Sequence, residues 1–220
     1  MRLLLASDLH RDHDAARSLV ERSAHVDVVV IAGDLAIKRG GLQEIVNVLA
    51  AIRTPTVLVC GNGESPEELR EACARARDPE TGSRWRAAHV LHGDSIEIGG
   101  VTFFGLGAAV PVTPFGDWSY DLTEEEAAEL LETCPDGVVL VSHSPPNGHT
   151  DTDSSGRHVG SWSVLHAIER TSPKLVVCGH IHACWGEQSS AEGTPIVNAG
   201  PAGLFWVLGD GADPGVQREP

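Results

Sequence analysis

Five apolar runs of this chain end in residues for which a core has no use. LLLAS leads into Asp8-Leu9-His10, VVVIA into Gly33-Asp34, and VLVC into Gly61-Asn62; VVLVS leads into His143, and LVVC into Gly179-His180-Ile181-His182. Taken singly, each has an ordinary explanation. A lone histidine at a strand end is more often a hydrogen-bonded structural residue than a ligand, and Gly-Asp is a common turn. Together they deliver two Asp, one Asn and four His. Crowded carboxylates and imidazoles are costly unless something compensates them. A pair of divalent cations does so, because carboxylate, amide oxygen and imidazole are the ligands such ions take. The spacing agrees: Asp8 and His10 are two residues apart, as are His180 and His182, and on an extended backbone each pair points to one face. The glycines before Asp34, Asn62 and His180 let the chain turn sharply and bring backbone close to a site.

Elements that could position these residues alternate along the first half. Strands are expected at Leu3–Ala6, Val26–Ala32 and Thr56–Cys60, and helices at Asp14–Ser23, Leu42–Ile52 and Ser65–Arg77. Ser65-Pro66-Glu67-Glu68 is a helix start, with a cap, a proline and acids in the first turn. Alternation of this kind implies parallel strands in βαβ units, whose ligands bind beyond the carboxyl ends of the strands. Short strands follow near Val90–Leu91, Ser95–Ile98 and Val101–Leu106. A helix capped by Thr123 runs to about Thr133, and Val138–Val141, Lys174–Cys178, Ala183–Gly186, Pro195–Asn198 and Gly203–Val207 read as strands around a helix at Ser161–Arg170.

The 220 residues, 41% hydrophobic and 21% charged, fit one large domain over 1–208 with a loose tail at 209–220. A formal net charge of −15 argues against duplex nucleic acid as a partner, although bound cations would stand outside that count. Cys60, Cys73, Cys134, Cys178 and Cys184 are odd in number and form no CxxC pair, which reads as buried thiols in a reducing compartment. The first apolar run is too short for a signal peptide or a membrane span, so a cytoplasmic protein with no membrane partner is expected.

In order and spacing these motifs resemble the calcineurin-like metallophosphoesterase superfamily, whose fingerprint runs D-x-H, G-D, G-N-[HD], a lone H, and G-H-x-H, each after a strand. Here the matching residues are Asp8–His10, Gly33–Asp34, Gly61–Asn62, His143 in SHSPP, and Gly179–His182, and the resemblance covers Leu3 to Phe205. SHSPPNG, RHVGS and VVCGHIH are similar to the small prokaryotic Icc-type phosphoesterases of that superfamily. The resemblance implies an α/β fold, a four-layer α/β/β/α sandwich with two mixed sheets back to back. It implies that Asp8, His10 and His182 hold one metal and Asn62, His143 and His180 another, with Asp34 bridging. A water or hydroxide between the metals would then attack phosphorus in line with the leaving oxygen. So many imidazoles suit two divalent transition-metal ions, Mn, Fe or Zn, better than Mg alone. The implied partner is a phosphate ester, small molecule or nucleotide.

One position departs from that pattern. A histidine usually follows the Asn in this superfamily, where it contacts the phosphate and protonates the leaving group; this chain has Gly63. Losing a general acid matters least for good leaving groups, so the expected activity is that of a phosphodiesterase. One alternative is a phosphomonoesterase or protein phosphatase in which the loop after His143 supplies the acid. His149 or His158 would be that acid, with Arg157 on the phosphate. Another alternative is a non-catalytic metal-binding scaffold. Glu64 reads as the start of the next helix. Lys38 and Arg39, just past Asp34, read as a charged solvent loop, with contact to a phosphate as the alternative. PVTPFGDWSY carries Phe115, Trp118 and Tyr120, which either wall a substrate pocket, pack beneath their own loop or form a subunit contact.

Overall fold

The computed structural model describes residues 1–209; the remainder of the tail expected at 209–220 lies outside the described residues. The first half runs β1 (Arg2–Ala6), α1 (His13–Ser23), β2 (Val28–Ala32), α2 (Leu42–Leu49), β3 (Thr56–Val59), α3 (Pro66–Arg75) and β4 (Ala88–Val90). The second half runs β5 (Asp94–Ile98), β6 (Val101–Leu106), α4 (Glu124–Leu131), β7 (Val139–Ser142), α5 (Trp162–Thr171), β8 (Leu175–Cys178), β9 (Gln188–Ala191), β10 (Thr194–Asn198) and β11 (Leu204–Val207). Capping sets several helix starts. Ser65 with Glu68 and Thr123 with Glu126 each form a reciprocal capping box, and Asp12 accepts the amides of Asp14 and Ala15 ahead of α1.

The strands form two mixed sheets, ordered β11-β1-β2-β3-β4 and β5-β6-β7-β8-β10-β9. β1 to β4 are parallel with β11 antiparallel at the edge, and β6, β7, β8 and β10 are parallel with β5 and β9 antiparallel at the edges. The two-residue period of the strands makes the layers. Leu4 and Ala6 of β1, and Val29 and Ile31 of β2, face α1 to α3, whereas Leu3, Leu5, Val28 and Val30 face the other sheet. There they meet Phe103, Val139, Val141, Leu175 and Val177; Phe104, Leu140 and Val176 point outward to α4 and α5. The result is helices, sheet, sheet, helices, with the strands buried on both faces as parallel sheets require.

Two short elements differ from expectation: the edge strand β9 (Gln188–Ala191) lies where no strand was expected, and a 3₁₀ turn stands where a strand was expected. Ala183–Gly186 is not a strand; His182–Cys184 is a single 3₁₀ turn, closed by Cys184 N–H to the Ile181 carbonyl at 2.9 Å and Trp185 N–H to the His182 carbonyl at 3.3 Å. A run that short carries no period by which strand and turn could be told apart. All five cysteines are buried and free. No helix among the described residues is long and apolar enough to cross a membrane.

Phe103 is fully buried between the two sheets. Phe103→Ala is expected to cost about 3–5 kcal/mol of unfolding free energy, read as a lower urea midpoint. A change within about 0.5 kcal/mol would mean that the inter-sheet layer is not a tightly packed core.

Candidate metal centre

The segments after β1, β2 and β3 of one sheet and after β7 and β8 of the other bring their polar residues together. Two groups of donors form, Asp8 with His10 and His182, and Asp34 with His143 and His180; within each group the ligand atoms lie within 4.8 Å of one another. In the first, His10 Nε2 is 3.0 Å from His182 Nε2, and Asp8 Oδ1 is 3.9 and 3.8 Å from those two nitrogens. In the second, His143 Nε2 is 3.6 Å from Asp34 Oδ1 and 3.4 Å from Asn62 Oδ1. Asp34 faces both groups, because its Oδ2 is 3.7 Å from His10 Nε2. Asp8, Asp34, Asn62 and His143 are buried, while His182 stands open to solvent.

This convergence does not come from an extended backbone, as the spacing of Asp8 with His10 and of His180 with His182 suggested. Asp8 (φ 54°), His10 (φ 43°), Asp34 (φ 55°) and His180 (φ 64°) are all in the left-handed region. A side chain there costs about 1–2 kcal/mol, so the surroundings must over-determine it. They do so through cross-strand amides: Asp8 N–H to the Gly33 carbonyl at 2.9 Å, His10 N–H to the Asp34 carbonyl at 3.0 Å, and His180 N–H to Asp8 Oδ1 at 3.1 Å. The glycines serve close approach. A Cβ on Gly33 would lie 2.5 Å from His143 Nδ1, at a φ of 90° that disfavours side chains, and one on Gly61 would collide with the Asp34 carboxylate.

Hydrogen bonds aim the donors. His10 and His143 give Nδ1–H to the carbonyls of Ala36 (3.2 Å) and Ala32 (2.8 Å), which leaves each Nε2 lone pair facing the cluster. Asn62 donates Nδ2–H to Ser119 Oγ at 2.9 Å, and so its Oδ1 turns toward His143. Asp34 Oδ1 accepts the Gly63 amide at 2.7 Å, and Asp8 Oδ2 accepts the Trp185 indole N–H at 3.2 Å.

Two braces were not visible in the sequence. Glu64 does not start the helix; it is fully buried behind the site, taking the amides of Leu35 (3.2 Å), Ala36 (2.9 Å) and Gly61 (3.0 Å), and thereby ties the Asp34 turn to the Asn62 turn. Asn198, at the end of β10, gives its amide hydrogens to the carbonyls of Gly179 (3.0 Å) and Ile181 (3.1 Å) on either side of His180. The only hint in the chain was a polar residue close after an apolar run in each case.

Burial and mutual charge set the protonation pattern. Burial pushes the Asp8 carboxyl up, with Asp34 adding to the rise. Burial also works to raise Asp34, but His143, the Gly63 amide and His10 outweigh it and hold that carboxyl below its ordinary value. Burial works to lower His143, and the carboxylates of Asp34 and Asp8 overcome it, so this imidazole is raised. His180, half-buried beside His143, is pulled down to about 3 by desolvation and by that neighbour's charge. Glu64 is raised by burial and by Asp34, against the pull of its three amides.

Five of the seven donors, His10, Asp34, Asn62, His180 and His182, form the floor of a cleft of 620 Å³. Phe115 and Trp118 form one wall, stacked at 5.6 Å with planes 10° apart, while Tyr120 turns away to His92. Asp153 and Ser154 also line the cleft. Of the loop residues singled out from sequence, His149 bonds Ser189 Oγ at 2.8 Å, His158 bonds the buried Asp151 at 2.6 Å, and Arg157 pairs with Asp153 at 3.0 Å; none of the three lines the cleft. Lys38, in contrast, does line it.

Comparison with known proteins agrees with this geometry. The model of the calcineurin-like phosphoesterase superfamily domain matches residues 1–207. Two UPF0046 proteins of Caenorhabditis elegans are similar in sequence. One is 34% identical over 44% of this chain and 24% of its own length, the other 29% identical over 79% of this chain and 62% of its own. The chain therefore spans less than two thirds of either relative. The crystal structure of a dimetal phosphatase from Danio rerio superposes with a TM-score of 0.61 at 14% identity, covering 96% of this chain and 93% of that one. At that identity the likeness is one of fold.

The two imidazoles of the second group carry opposite pH signatures. His180, at about 3, refuses a proton that an unfolded histidine binds below 6.5, so its contribution erodes stability as pH falls between those values. His143 is raised; its contribution is full below 6.5 and fades as pH rises through its folded value. In an NMR titration of metal-stripped protein, the His180 ring is expected to stay neutral from about pH 7 to 4 while His143 titrates above about 6.5. The reverse order would contradict this charge pattern.

Proposed function

The chain belongs to the calcineurin-like phosphoesterase superfamily, and from that membership we propose that it is a two-metal phosphoester hydrolase acting on diesters. The observation that carries this reading is the pair of donor groups sharing Asp34 on the floor of one cleft. The residues suit metal ions. Seven potential ligands converge, and the Nδ1–H bonds of His10 and His143 turn their Nε2 atoms inward. Asp8, His10 and His182 would hold one ion and Asn62, His143 and His180 the other, with one Asp34 oxygen toward each. So imidazole-rich a set favours Mn, Fe or Zn over Mg. Such ions, when bound, lower the pKa of a coordinated water and neutralise charge on phosphoryl oxygens.

The residues around the floor support the choice of substrate. Gly63 offers no acid beside Asn62, and the rings of His149 and His158 are engaged with Ser189 and Asp151 away from the cleft. A site without a strong acid suits esters whose leaving group is already stabilised. The stacked Phe115 and Trp118 suit a planar group on a small molecule or nucleotide. The net charge of −15 weighs against a nucleic-acid duplex.

Protein purified without chelator is expected to carry about two ions per chain and, with added Mn, to hydrolyse bis(4-nitrophenyl) phosphate. Asp34→Asn should lower turnover by at least about 100-fold with the fold intact by circular dichroism. Protein without metal, or a variant as active as the wild type, would reject the hydrolase and leave a binding scaffold. Across a panel of esters at fixed Mn, higher kcat/KM is expected on diesters than on alkyl monoesters; the opposite ranking would reject the diester assignment.

A further inference from the structure

The turn Ile37-Lys38-Arg39-Gly40 is unusual for its residues. Ile37 and Gly40 exchange both backbone hydrogen bonds, at 3.1 and 2.8 Å, and the two central residues both have positive φ, 46° and 68°. That geometry normally takes Asn-Gly or another glycine pair. Two long cationic side chains in it are strained, and strain of this kind persists where the surroundings impose it and points to function. Arg39 supplies the imposition. Its amide bonds the Gly63 carbonyl at 2.9 Å, its Nε bonds the Trp118 carbonyl at 2.8 Å, and its guanidinium pairs with Glu68. Arg39 thus fastens the turn to the segment after Asn62 and to the aromatic loop.

Lys38 is left to face the cleft. Its Nζ lies 5.5 Å from the centre of the Trp118 ring, within cation–π range, and Trp118 is in turn stacked on Phe115. In a chain with a net charge of −15, Lys38 is the one lysine or arginine among the described residues lining the cleft. The same segment bounds the space at Gly63. A Cβ there would lie 3.1 Å from the Ala36 carbonyl oxygen and 3.2 Å from Asp34 Oδ1, two residues before Lys38 and at the donor floor.

We infer that Lys38 is a catalytic residue of this site, its ammonium contacting a non-bridging phosphoryl oxygen of the bound ester, with Trp118 holding the side chain over the cleft and Arg39 holding the turn. The inference rests on the phosphoester reading of the same cleft. The lysine acts as a point charge with three donors. It therefore supplies a phosphate contact at a site where Gly63 has no side chain to do so.

The test compares Mn-loaded wild type with Lys38→Met and Lys38→Arg, measuring metal content, affinity for inorganic phosphate by calorimetry, and kcat and KM on bis(4-nitrophenyl) phosphate. Lys38→Met is expected to keep its metal, bind phosphate about 10- to 100-fold more weakly and lose about 100-fold in kcat/KM; Lys38→Arg should recover most of both. Phosphate affinity equal to wild type in Lys38→Met, or a wild type that binds no phosphate, overturns the inference. A wild type that binds phosphate through Lys38 but cleaves no ester supports the anion contact and rejects the hydrolase instead.

Discussion

Asp34 is a buried carboxylate that must answer to both donor groups at once, and most of the surrounding structure is arranged around that demand. One oxygen faces His10, the other faces His143 and receives the Gly63 amide, and the backbone of Gly61 passes too close for any side chain. Two further acids are buried nearby, Asp8 and Glu64. Removing such charges from water costs several kcal/mol each unless they are paired and hydrogen-bonded. Here the compensation comes from imidazoles on one side and backbone amides on the other. Glu64 takes three of those amides, and in doing so joins the two turns that carry Asp34 and Asn62. Asn198 does the equivalent for the turn around His180.

The layered fold was legible because strand residues with a period of two leave a trace in composition. LLLAS, VVVIA and VVLVS are almost wholly apolar, as strands covered on both faces must be, and the capped helix starts at Ser65 and Thr123 stand out for local reasons. The donor residues were legible by type and by their place after those runs. Their geometry was not. Nothing in the letters Asp8, His10 or His180 marks a left-handed backbone, since that conformation is imposed by amides from other strands. For the same reason Glu64 resembled a helix-start acid, and Lys38 resembled a solvated loop charge more than a phosphate contact. The aromatic loop was half legible: its residues left pocket and packing equally open, and the structure divides them, with Phe115 and Trp118 at the cleft and Tyr120 against His92.

The gap at Gly63 separates two tasks that one motif usually carries together. Asn62 keeps its orientation without the missing histidine, because Ser119 of the aromatic loop fixes its amide. The metal side of the chemistry therefore does not depend on a side chain at position 63. On the proposed reading, the phosphate would be handled by elements that come from elsewhere in the chain, the strained turn after Asp34 and the loop after β6. Both are surface segments placed on a rigid rim, where substrate preference can change while the floor stays as it is.

Each donor group draws from both sheets. Asp8 and His10 follow β1 and are joined by His182, which follows β8; Asp34 follows β2 and is joined by His143 and His180, which follow β7 and β8. An ion in either group would therefore be a rivet through the interface between the sheets, resisting shear of one against the other. The apolar layer beneath resists separation but has little directional preference. The alignment of the sheets and the loading of the floor would then be mechanically the same event, with the rim above inheriting its shape from how squarely the two halves are pinned.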